Sequence, residues 1–172
     1  MRVSEAREGL RRVLEVLVLV LMAGLAVVVV VGVGFRKAGA SLVWYDEVAS
    51  ILLAWLTYYG AALAALHRAH IGIPTLVNHL SGRVRTAAVL LGELCVLTFF
   101  GVLAWAGVRV LSVLGGTTLV SLPWVPAAVA QSVIPIGAVL FMAAQLLSLP
   151  DALRPHVPIS DEWTQADEEA SA

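Results

Sequence analysis

The stretch VLVLVLMAGLAVVVVVGVGF, Val16–Phe35, runs for twenty residues without a charge. A lipid hydrocarbon core of about 30 Å is crossed by roughly 20 helical residues rising 1.5 Å each. This run therefore has the length and the apolarity of a transmembrane helix. Three more stretches follow the same logic. Val48–Leu66 is charge-free over nineteen residues, and Thr86–Val108 is interrupted only by Glu93. From Val110 to Pro150 no residue is charged, which is too long for one crossing. Gly115-Gly116-Thr117-Thr118 and Ser121-Leu122-Pro123 divide it into the end of the third span and a fourth. The spans fall near 14–35, 47–67, 86–109 and 125–149. None alternates as a barrel strand of about ten residues does.

The fold expected is thus an all-α integral membrane protein of four transmembrane helices. The organisation is a short N-terminal segment (1–13), a membrane domain (14–150) and an acidic tail (151–172). Composition agrees: 60% of the 172 residues are apolar, 13% are charged, and the mean hydropathy is +0.91. Soluble domains carry about 25% charged residues. A net charge of −1 offers no basic surplus for nucleic acid, and one cysteine excludes a disulfide framework. The tail, with Asp161, Glu162, Asp167, Glu168 and Glu169, reads as solvated chain.

Arginine and lysine set the orientation. With the N-terminus in the cytoplasm, the inner segments hold Arg2, Arg7, Arg11, Arg12, Arg68, Arg83, Arg85 and Arg154, and the outer ones only Arg36, Lys37 and Arg109. The positive-inside rule then places both termini in the cytoplasm and Trp44, Tyr45 and Trp124 at the outer interface. Ala38-Gly39-Ala40 looks like a signal-peptide cleavage site, but the apolar run is too long for a signal core and Arg36-Lys37 intervene. The first span is expected to be retained.

Few residues carry chemistry. Glu93 lies about 10 Å into the third span, where a carboxyl must be protonated or paired. Gln145 in the fourth span reaches a similar depth, and His67 at the inner end of the second is the other available partner. No second acidic residue occurs within a span to continue a proton relay, so a structural pair is expected. His67, His70 and His79 crowd one inner loop, a spacing unlike the facing histidines of a haem site, and three converging zinc ligands are lacking. No cofactor or metal is expected. Asp46 and Glu47 open the second span where acidic groups complement the helix dipole. Alternatively, Glu47 meets Arg36 or Lys37, or a partner's outer surface. Gly60 and Ala64 form a small-xxx-small pair suited to helix packing. Pro135 should kink the fourth span. No phosphate loop or nucleophile motif is present, so the chain does not read as an enzyme.

Trp44-Tyr45-Asp46-Glu47, the core Ala54-Trp55-Leu56-Thr57-Tyr58-Tyr59-Gly60-Ala61-Ala62-Leu63, and Arg68-Ala69-His70-Ile71-Gly72-Ile73 together form a recognisable pattern. Leu80, Arg83 and Arg85 follow, and Pro135-Ile136-Gly137 stands in the fourth span. The sequence resembles the small membrane subunit of TRAP (tripartite ATP-independent periplasmic) transporters, DctQ type, over about residues 10–150. It departs at Pro74, where many members carry an aspartate. The resemblance implies a scaffold subunit in a bacterial or archaeal cytoplasmic membrane. Its partners would be a large permease subunit, a periplasmic solute-binding protein and membrane lipids, and its cargo a carboxylate driven by sodium. It also implies partner contacts from Arg36, Lys37, Trp44, Glu47, Gly60, Ala64 and His70. The alternatives are the small subunit of a tricarboxylate-type tripartite carrier and a four-helix cytochrome b-like electron carrier.

Overall fold

Residues 2–67 and 82–152 are described by a computed structural model. Helix α1 spans Arg2–Lys37, so the N-terminal segment is not separate from the first span. The helix continues outward because charges stand one turn apart. Arg11 pairs with Glu8 at 2.6 Å and Glu15 at 2.8 Å, and Arg12 reaches Glu8 at 3.0 Å. Such i,i+3 and i,i+4 pairs support a helix whose apolar face has ended. At about 54 Å, α1 is longer than a bilayer core is thick.

Its other end is a Schellman turn. Ala40 N–H bonds the Phe35 carbonyl at 3.0 Å and Gly39 N–H that of Arg36 at 3.2 Å, with Gly39 at φ +79°. Only glycine enters this left-handed conformation without strain. The small residues at 38–40 are therefore a helix cap in the folded chain.

Helix α2 spans Tyr45–Leu66 and α3 spans Gly82–Val113. The fourth crossing is built from two pieces, α4 (Ala127–Gln131) and α5 (Val133–Ala152), separated at Ser132. The expected kink is thus a break three residues before Pro135. The missing proline N–H leaves the Gln131 carbonyl without its helical donor, and its ring crowds that turn. All four crossings are long and apolar enough to span a bilayer. No strand occurs among the described residues; a single bridge, Thr118 with Pro126, closes the loop before α4.

The helices stand in the order α1, α2, α5, α3. The last crossing inserts between the second and third, leaving α1 and α3 as flanks. Leu14 and Leu21 of α1, Tyr59, Ala62, Ala65 and Leu66 of α2, and Val133, Phe141 and Ala144 of α5 form the core. Close approach depends on glycine at three points. A Cβ on Gly137 would lie 2.7 Å from Tyr58 Cβ, and one on Gly107 would lie 2.8 Å from Pro135 Cδ. One on Gly32 would enter the Tyr45 ring, 2.6 Å from its Cγ. Tyr45 is accordingly buried against α1, not exposed in an aromatic belt; Trp44 and Trp124 remain exposed.

Candidate functional site

The polar groups form two constellations, one among the helices and one at the loop end, where the α1–α2 turn and residues 114–126 lie. Within α3 only Glu93 and Gly107 are buried among the described residues, and both face α5. Gln145 Nε2 donates to Glu93 Oε2 at 2.7 Å. Between these two points Phe100 stacks on Phe141, with ring centroids 3.8 Å apart and planes 10° from parallel. Residues 93, 100 and 107 are seven apart, so they share one stripe of α3. A carboxylate, a ring and a glycine along about 21 Å thus seat the third helix on the fourth.

Of the two partners considered for Glu93, the structure brings Gln145 to it. His67 stands elsewhere, its Nε2 3.8 Å from Glu15 and its side chain half exposed. Arg7 donates to the Leu66 carbonyl at 3.0 Å, tying α1 to the end of α2. His70, like His79, His156 and Pro74, lies outside the described residues, as does the acidic tail from 153 onward. Among the described residues no cluster of three His, Cys, Asp or Glu side chains could hold a metal ion.

At the loop end, Glu47 accepts two consecutive backbone N–H groups, and no ion pair joins it to Arg36 or Lys37 among the described residues. These come from Val120 at 3.1 Å and Ser121 at 2.7 Å. Each of its carboxylate oxygens thus accepts one loop N–H within the chain itself. Arg36 stacks over the Tyr45 ring at 5.7 Å. Lys37, the last residue of α1, is exposed. Gly60 faces open space, where an added Cβ would meet nothing within 4 Å, and Ala64 is half-buried. The small residues that pack within the chain are instead Ala62 and Ala65, both fully buried.

One contact escaped the sequence altogether. Trp55 Nε1 donates to the Ala130 carbonyl at 3.1 Å, supplying a proton just where the fourth crossing is broken. The available signal was an indole in one span and a proline in another, but nothing in the spacing joined them.

Several hydroxyls are also turned inward upon their own helices. Ser50, Thr57, Thr98 and Ser148 each donate to a carbonyl three or four residues earlier. Such back-bonding directs the hydroxyl donor to the residue's own helix. Four long apolar helices joined by the interhelical contacts above have the architecture of a multi-pass α-helical membrane protein.

Comparison with known proteins makes the class specific. Residues 25–154 match the family model described as "Tripartite ATP-independent periplasmic transporters, DctQ component". The match covers most of the chain, and the chain belongs to this family, a transport component. A similar relative is the "C4-dicarboxylate TRAP transporter small permease protein DctQ" of Rhodobacter capsulatus. The two are 36% identical over 69 residues, a stretch amounting to 40% of this chain and 30% of that relative.

Proposed function

We propose that the chain is the scaffold subunit of a sodium-coupled TRAP transporter importing a carboxylate solute. It associates with a large permease subunit in a bacterial or archaeal cytoplasmic membrane, with both termini in the cytoplasm. A periplasmic solute-binding protein delivers the cargo. Family membership supports this reading, and the stripe along α3 is the observation that carries the scaffold part. The membrane-depth carboxylate Glu93 is engaged by Gln145, on one stripe with a stacked ring pair and a glycine contact, where a transport pathway would need polar groups facing a cavity. The flanks α1 and α3 offer packing area to the permease and to lipid. Arg36, Lys37 and Trp44 at the loop end are candidate contacts for the binding protein, and the open face around Gly60 and Ala64 is a candidate contact for the permease. His70 belongs to the same set. Glu47 contributes indirectly, through the loop it holds.

Co-purification with a tagged large permease, followed by reconstituted uptake, tests the proposal. The expected result is a stable complex in which uptake requires both chains, the binding protein and a sodium gradient. Solute translocation by this chain alone would overturn it.

A further inference from the structure

The 13 residues between α3 and α4 are left unexplained by a scaffold role. Residues 114–126 carry no charged side chain. Two of their large apolar groups point outward, Val120 at 92% exposed and Trp124 at 76%, as does Val113, immediately before the loop, at 82%. Loops that run through water are ordinarily polar, and large apolar side chains gathered at a tip require a cover.

Part of the backbone of this loop is closed upon itself. Thr117 N–H bonds the Leu114 carbonyl at 3.1 Å, and Leu119 N–H bonds that of Val125 at 3.0 Å. Val125 N–H bonds Leu122 at 2.9 Å and Ala127 N–H bonds Thr117 at 3.0 Å. Pro123 and Pro126 have no N–H to satisfy. The amides at the tip, Val120 and Ser121, are the ones taken by Glu47 of a different helix. Partial satisfaction of backbone donors within the fold suits the hydrated headgroup layer, where water still reaches the remaining N–H groups, and not the water-free hydrocarbon core. Outward valine and tryptophan suit the same place, since tryptophan rings favour the headgroup layer. Charges mark that layer at this end of the molecule. Arg36 lies over Tyr45, and Arg109, one turn from the end of α3, lies over Trp105 at 5.4 Å.

We propose that loop 114–126 is an interfacial membrane anchor. Val120 and Trp124 are seated in the phospholipid headgroup layer, and Glu47 is the positioning residue that folds the tip towards it. Phospholipid is favoured over a protein partner because the charge-free run is continuous with the spans on either side, from Val110 to Pro150. A protein-docking loop standing in water before assembly would ordinarily carry charge, and this one has only the hydroxyls of Thr117, Thr118 and Ser121.

The test uses the full chain in vesicles of phosphatidylethanolamine and phosphatidylglycerol. Cys95→Ala removes the native thiol, and Val120→Cys carries a nitroxide label. Collision with oxygen, which partitions into lipid, is compared with collision by a water-soluble nickel chelate. Oxygen access several-fold above nickel access is expected, and Glu47→Ala should raise nickel access several-fold. If that variant does not fold, Glu47→Gln, which keeps one acceptor oxygen, should shift the ratio in the same direction. A second label at Trp124→Cys should report the same depth. Dominant nickel access with Glu47 intact would overturn the anchor, as would a label shielded from both reagents by protein. An unchanged ratio in the Glu47 variants would overturn the positioning role.

Discussion

Glu93 and Glu47 are both carboxylates of membrane helices, yet they are satisfied in opposite ways. Glu93 is buried at one end of the α3–α5 stripe and takes the side-chain amide of Gln145. Glu47 stands at the loop end, half-buried, and takes the main-chain amides of Val120 and Ser121. Depth makes the difference. Among close-packed helices every backbone N–H is already committed to its own helix, so only another side chain can answer a carboxylate. Where the chain leaves helical form, free N–H groups appear and a carboxylate can organise them. The middle of the molecule is thus held by side-chain complementarity, and the loop end by a side chain that replaces missing secondary structure.

The largest expected effect lies in the middle. Gly137→Val forces α5 away from Tyr58, whose Cβ already stands 2.7 Å from the position of the first added carbon. Overpacking of this kind costs about 2–3 kcal/mol. Gly60→Val, one helix away in open space, should leave the isolated chain within about 0.5 kcal/mol of the parent. Reversible unfolding in mixed detergent measures both. Equal losses at the two glycines would show that the contact surface is assigned to the wrong face of α2. Should Gly60→Val keep its stability yet lose co-purification with the permease, the open face is the one that the partner covers.

The Glu93–Gln145 pair comes next. A double-mutant cycle with Glu93→Leu and Gln145→Leu should give a coupling energy of about 1–2 kcal/mol, with the double variant less damaged than the sum of the singles. Each single change takes from the other polar group its partner in this bond, whereas the double change removes both. Zero coupling would mean that the bond contributes nothing to stability.

These two carboxylates also show what a sequence can reveal. Glu93 and Gln145 were legible together because a carboxyl at membrane depth has few polar groups within reach, and the chain offers only a short roll of them. Four spans were legible because charge is absent over lengths that match a bilayer. The partner of Glu47 was not legible, since every residue of a loop carries an N–H and nothing marks which two will be free. The insertion of the fourth crossing between the second and third was hidden for a similar reason. Hydropathy says that a helix is in lipid, but not which neighbour it touches. Glycine positions hold that information only when paired with their partners: Gly137 with Tyr58 and Gly107 with Pro135 meet, while Gly60 does not.

Trp55 joins the two regions and carries the smallest of these effects. Its ring belongs to the packed middle, edge-on to Tyr59 at 6.3 Å, while its indole N–H serves the Ala130 carbonyl beside the break. Trp55→Phe keeps an aromatic ring at the Tyr59 contact and removes the donor, so the loss should be about 1 kcal/mol. Its location is more informative than its size. If the indole stabilises the break, amide exchange should quicken across 127–134 and stay unchanged across 137–147, because the second stretch is held by Tyr58 and Phe100 and not by Trp55. Uniform acceleration along the whole crossing would show that the indole supports the general packing of α5 instead. Unchanged exchange at 127–134 would show that α4 is held by the closed loop before it, and then Glu47, not Trp55, governs how the last crossing begins.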